Sequence, residues 1–319
     1  MTKKIRLMIP LSIFAFFTFA QGSLLDQLGK EEEETNYVQY SFKTNRIINL
    51  HSLESTAGGV MDVKISHRFG VIGNGAYDLF GLDNATQRIG VDYGITNQFT
   101  VGANRNSVRK AYDGFLKYKF LRQSTGKRTM PITAALMTSA ALETQHWDDP
   151  TRENHFSSRL FYTTQLIIGR KFNDIFTLEL VPTYVHRNLV KTTSDKNDIY
   201  AIGAGGRIRL SRRVTLNGEY IYLLPNQLAD AKNSLSLGFD IETGGHVFQF
   251  HFTNSASMSE YAFVTQNDAN WNKNSVRFGF NVSRVFTLGE KKKEEEKAKA
   301  LNNSGTNNSN KSYLKKPKN

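Results

Sequence analysis

The chain has 319 residues, no cysteine, a hydrophobic share of 39 %, an aromatic share of 12 % and a formal net charge of +12. Without cysteine there is no disulfide scaffold, cysteine-ligated zinc, thiol nucleophile or lipid-modified N-terminal cysteine. Few apolar but many aromatic residues suit a strand-rich protein better than a soluble helical one.

In chain order, residues 1–20 are expected to be a secretory signal peptide. Lys3, Lys4 and Arg6 precede an apolar stretch from Leu7 to Ala20, with small residues Thr18 and Ala20 at the cleavage positions. Residues 21–36 form a polar segment with an acidic run at 31–34. Residues 37–55 are expected to tuck into the lumen or lie at the periplasmic mouth of the domain that follows. A thirteenth strand there would put the N-terminus on the wrong side. From 290 to 319 the chain is charged and nearly free of apolar residues, so disorder is expected. The signal carries three of the net positive charges and the tail five, leaving four on the body. A nucleic-acid binder keeps its basic excess on the folded part, and this chain does not.

Between Val60 and Phe286 the pattern has a period of two. Met61, Val63, Ile65, His67 and Phe69 alternate with Asp62, Lys64, Ser66 and Arg68. Residues two apart share one face of a strand, so each segment has an apolar and a polar face. Twelve such segments are expected, at 61–69, 89–95, 99–105, 112–120, 131–142, 160–168, 178–184, 200–210, 216–224, 235–241, 248–252 and 276–286. Two of them are less regular: 99–105 is short, and 131–142 has small residues on both faces. No apolar run after the signal reaches the roughly 18 residues of a transmembrane helix, but these segments fit the roughly 9–11 of a barrel strand. Short connections at 96–98, 172–174, 211–213 and 243–245 alternate with long ones at 70–87, 143–156, 187–198, 225–233 and 255–274. Such alternation marks outer-membrane barrels. The fold class expected is all-β: a transmembrane antiparallel up-and-down barrel of about twelve strands over 37–289. A soluble sandwich or lipocalin-like barrel is the competing reading, because alternation does not say which face is inside. The signal, the strand number and tyrosines near strand ends favour the membrane.

The phrases TNRIINLHSLES (44–55), VKISHRFG (63–70), YDLFGLDNATQRIGVDYGITNQFTVG (77–102), YDGFLKYKFLRQ (112–123) and FGFNVSRVFTLG (278–289) together resemble a known family. It is the uncharacterised membrane-bound β-barrel domain family of Bacteroidota outer membranes. The resemblance covers about 37–289 and implies a barrel; it carries no catalytic residues over.

No metal or nucleophile motif is found. The histidines lack helical i, i+4 spacing and no HExxH occurs. His146 and His155 share a loop with Asp148, Asp149 and Glu153, but a solvated loop explains them as well. No GxSxG elbow occurs, and the glycine phrase GAGG (203–206) sits inside a strand without a phosphate-loop lysine, so it is expected to relieve crowding or allow a kink. Neither catalytic residues nor a cofactor is expected.

The polar face is the informative surface. Its candidate lumen-facing charges are Lys64, Arg68, Arg88, Asp92, Asp113, Lys117, Lys119, Arg159, Glu179, Arg207, Arg209, Glu219, Asp240 and Arg277. A selective ion pore has a ring of one sign. Mixed signs point to cross-strand pairs bracing a narrow or plugged lumen, ahead of an open path with slight anion preference. The function expected is an outer-membrane channel or transporter for a small polar solute, in contact with lipid, with a periplasmic or extracellular protein as a further partner. Two other classes stay open: a structural or adhesion barrel meeting a partner through 143–156 and 255–274, and a membrane-embedded hydrolase.

Overall fold

The alternation becomes hydrogen-bonded strands wherever a short turn or a loop lets the chain double back. In the computed structural model, residues 34–147, 149–151, 153–190, 192–271 and 275–288 are described. The expected signal peptide and tail, and most of the polar segment 21–36, lie outside the described residues. The strands are β1 (Thr35–Tyr37), β2 (Val60–Val71), β3 (Ala85–Gly94), β4 (Phe99–Asn106), β5 (Tyr112–Leu121), β6 (Ser124–Gly126) and β7 (Thr133–Leu142). They continue as β8 (Leu160–Lys171), β9 (Phe176–Arg187), β10 (Asp198–Arg209), β11 (Val214–Leu223), β12 (Ser234–Thr243), β13 (His246–Thr253) and β14 (Arg277–Thr287). A short helix, α1 (Glu260–Thr265), lies in the last long connection.

Leaving out β1 and β6, the strands form one closed antiparallel barrel of twelve, each paired with its neighbours in sequence. It closes where β14 meets β2, with Thr287 opposite Val60 and Gly279 opposite Arg68. Closure leaves no unpaired edge, a requirement in lipid, where free N–H and C=O groups find no water. β1 and β6 make a separate two-stranded ribbon, with Thr35 opposite Gly126, at the short-turn end. The β5–β7 connection therefore carries structure of its own.

The pleat settles the question of faces. Outside, Ile65, Ile89, Leu116, Leu136, Leu180, Ile202, Leu216 and Leu237 are all exposed. Inside, Asp62, Arg68, Arg88, Asp92, Asp113, Lys117, Glu179, Glu219 and Asp240 are buried. A water-soluble barrel would invert this arrangement, because a continuous apolar belt of this extent belongs in lipid. Tyr112, Tyr162, Tyr200 and Tyr220 ring the outer face at the long-loop end, where an interfacial girdle sits.

The interior departs from a simple polar-in rule. Met137, Ile167, Val181, Val185 and Ile199 on β7 to β10 point inward and are fully buried. They join one cluster with Phe42, Ile47, Ile48, Leu50 and Leu53 from the segment before β2, and with Tyr261, Phe263 and Val264 of α1. The barrel thus encloses a small core built from both of its ends.

Candidate functional site

The segment before β2 enters the lumen from the short-turn end and turns back inside it. Arg46 and His51 pair as an antiparallel bridge. The Ile47 N–H donates to the Leu50 carbonyl at 2.8 Å, and the Ser52 N–H to that of Asn45 at 3.0 Å. The result is a tight hairpin with Ile48 and Asn49 at its tip. Three consecutive N–H groups of that tip would be orphaned, and Glu219 on β11 receives all of them. Its carboxylate accepts from Ile48 at 3.2 Å, Asn49 at 2.9 Å and Leu50 at 3.0 Å. Successive N–H groups converging on one anion form an anion-binding concavity, here filled by the wall. Glu179 on β9 does the same for the Leu53 N–H at 2.9 Å. From β5, the Lys117 ammonium donates to the Ser52 carbonyl at 2.6 Å and the Glu54 carbonyl at 2.5 Å.

Glycine makes the room. Added Cβ atoms at Gly203 and Gly205 of β10 would lie 2.9 Å from Leu50 Cδ1 and 2.1 Å from Ile47 Cδ1. The phrase GAGG is therefore a pair of lumen-facing holes for two apolar knobs of the hairpin, a close approach only glycine permits.

From the long-loop end, Ser255 to Thr265 folds inward instead of outward. Glu260, Tyr261 and Phe263 on α1 are buried. This takes 255–265 out of the outer surface through which the alternative of an adhesion barrel would meet a partner. The apolar residues of this stretch reach the enclosed core, and burying them outweighs exposing them. Glu260 is where the two inserted segments meet. Its carboxylate accepts from Arg46 Nη2 at 2.5 Å and from His51 Nε2 at 3.1 Å on the hairpin. It lies 3.3 Å from Arg88 Nη2 on β3, which also pairs with Asp113 on β5. Burial pushes the Glu260 carboxyl up, but Arg46 and Arg88 more than reverse this and hold it well below the usual carboxylate range. Burial, then the neighbouring Arg46, pushes the His51 imidazole down to about 3. His51 is neutral and donates to an ionised Glu260.

The other charges singled out from the sequence are spread along the barrel. Lys64, Arg68 and Asp92 face the hairpin: Asp92 accepts from Asn45 at 2.6 Å and from Lys64 at 2.5 Å. Arg68 donates to Asn49 at 3.0 Å and Asn281 at 2.9 Å. Asp240 sits among wall polars, accepting from Gln249 at 3.0 Å. Arg207, Lys119 and Arg209 lie toward the short-turn mouth, where Arg207 donates to the Tyr40 carbonyl at 2.7 Å and Arg209 comes within 3.9 Å of Asp174. Arg277 is half-buried at the long-loop end and donates to the Phe69 carbonyl at 3.3 Å. Arg159 ends a 3-10 turn before β8 and lies over the Trp147 ring at 3.7 Å, lining the cavity at the long-loop end. Glu153 lies 3.7 Å from His155, but among the described residues no group of three histidine, aspartate or glutamate side chains could hold a metal. Arg46, His51 and Glu260 were not singled out from the sequence; they precede the first barrel strand or lie within the last long connection, outside the alternation that selected the rest.

The hairpin and α1 divide the lumen. A cavity of about 600 Å³ opens at the long-loop end, lined by residues such as Arg109, Glu143, Arg187 and Gln266. Another of about 400 Å³ opens at the short-turn end, lined by Lys43, Glu54, Asp62 and Glu242. At that end Lys43 pairs with Glu242 and donates to the Arg212 carbonyl, tying the start of the hairpin to two turns.

A closed barrel with an apolar outside, a charged inside and an inserted hairpin is a membrane β-barrel of the outer-membrane type with an occluded lumen. The chain belongs to the family described as Membrane bound beta barrel domain (DUF5777), whose model matches residues 42–286, hairpin included. No curated protein matches it. Among solved structures the fold is similar to the NanC porin, at 9 % identity and TM-score 0.44, covering 71 % of this chain and 98 % of that one. It is also similar to the KdgM porin, at 10 % identity and TM-score 0.44, covering 71 % and 99 %. An outer membrane channel from Pseudomonas putida F1 follows at 10 % identity and TM-score 0.44, covering 72 % and 96 %.

Proposed function

We propose that the chain is an outer-membrane channel for a small polar solute, held shut by its own N-terminal hairpin, with the long loops outside. The observation that carries this reading is how the hairpin is held. Glu219, Glu179, Lys117 and Glu260 grip its backbone and two of its side chains by polar contacts. Water entering the lumen can replace such contacts one by one, which a purely apolar seal would not allow. Cavities with charged lining residues on either side give the solute a place before and after the constriction.

The chain has no cysteine, so a clamp can be introduced cleanly. A Cβ at position 205 would lie 3.6 Å from Ile47 Cγ1, within disulfide reach of position 47. The paired substitution Ile47→Cys and Gly205→Cys, recorded in planar bilayers, should stay closed when oxidised and show openings after reduction. Absence of current from the reduced protein and the parent in every salt would overturn the channel reading in favour of a sealed structural barrel.

A further inference from the structure

We propose that the cavity at the long-loop end binds a small organic anion with a flat apolar face, of the aromatic carboxylate class. Its volume of about 600 Å³ is that of a small-molecule site. Among the described residues, three arginines line it, Arg109, Arg159 and Arg187, against one carboxylate, Glu143. That carboxylate is already engaged: Oε1 accepts from the Tyr261 hydroxyl at 3.2 Å and from Gln266 at 2.8 Å.

Arg187 is only 4 % exposed. One Nη donates to the Lys196 carbonyl at 2.9 Å, and the Asp195 carboxylate stands 3.8 Å away. Its Nε has no hydrogen-bond partner among the described residues. The Asp195 pair is long, and the unpartnered Nε–H of this buried guanidinium favours an anion that approaches more closely. Arg159 is fixed in place, stacked over Trp147 and donating to the carbonyls of Glu143 at 3.0 Å and Gln145 at 2.5 Å. Arg109 and Lys110 hold φ of 55° and 46°, a left-handed backbone that non-glycine residues seldom adopt. Strain of this kind collects at binding sites. Trp147 and Phe161 supply the apolar wall, Phe161 being stacked on Tyr261 at 4.3 Å. Two described acidic residues of the 143–156 loop turn to that loop itself. Asp149 accepts from the Thr151 N–H and hydroxyl, and Glu153 lies 3.7 Å from His155.

The role of this cavity as the solute's first stop rests on the gated-channel reading, but its occupancy is measured without any current. The full chain in detergent, carrying Trp271→Phe, leaves Trp147 as the fluorescent reporter. Benzoate should change the emission saturably, and benzamide and inorganic phosphate should not. Arg187→Gln and Arg109→Gly should each weaken benzoate at least about tenfold, the worth of one charge-assisted hydrogen bond. Arg122→Gln, at the opposite end, should leave it unchanged. Heat-modifiable gel mobility reports whether each variant is folded; if Arg187→Gln is not, Arg109→Gly decides. Equal responses to benzoate and benzamide, equal responses to benzoate and phosphate, or undiminished binding in the folded arginine variants would each overturn the proposal, leaving the bilayer test of passage standing.

Discussion

Glu260→Ala should open the barrel. The side chain is 1 % exposed and pairs with Arg46 at 2.5 Å, while Arg88 keeps Asp113 whatever happens to Glu260. The loss therefore falls on Arg46, which is left 8 % exposed with the Asn49 carbonyl at 3.1 Å and no carboxylate. Stranding one partner of a buried pair costs about 3–5 kcal/mol. Arg46 sits on the hairpin, so moving the hairpin toward water relieves that cost, and the closed state bears it alone. The closed-to-open ratio should fall by about two to three and a half orders of magnitude. Single-channel recording in planar bilayers measures this as opening frequency, with heat-modifiable mobility confirming an intact barrel. An Arg46→Met, Glu260→Leu double variant should close again, since apolar groups of similar volume replace buried pairs at little cost. A folded Glu260→Ala barrel as silent as the parent would refute the idea that this pair holds the hairpin.

Glu219→Ala removes the acceptor of three hairpin N–H groups. Each costs about 1–3 kcal/mol if left dry, so trypsin should cut at Lys43 or Arg46 many times faster than in the parent, as followed by mass spectrometry. Gly205→Val should expel Ile47 from its hole and raise conductance, and adding Ile47→Ala should restore closure. His51 has its folded-state pKa lowered from 6.5 to about 3. Its contribution is therefore complete above pH 6.5 and lost as pH falls toward 3, because the unfolded state binds the proton more readily. His51→Asn should flatten the acid side of the thermal unfolding profile across that window.

The barrel was legible because its signal is local and repeated. Alternation marks each strand, and connection length tells its two ends apart. Alternation alone is the same whether lipid or water lies outside; the signal, the strand number and the tyrosines chose the polar face as the inner one, and an exposed Ile65 beside a buried Arg68 bears this out. The balanced charges of the polar face did point toward a braced interior. What they could not reveal was that many pair with the chain itself: Glu219 reaches backbone N–H groups about 170 residues away, for which no spacing rule exists. Arg46 and Glu260 stand 214 positions apart. The glycines at 203 and 205 were a readable trace of the insert, because holes in a wall imply something that fills them.

The hairpin also bears on the seam where the barrel closes. It precedes every barrel strand, and its tip touches both strands of the closing seam: Asn49 meets Arg68 on β2, and the Ile48 carbonyl accepts from Asn281 on β14. Asn281 in turn receives Arg68 across that seam. Held in place, the hairpin therefore staples the first barrel strand to the last from inside, and the seam where the sheet closes on itself is braced by a piece of chain that belongs to neither strand.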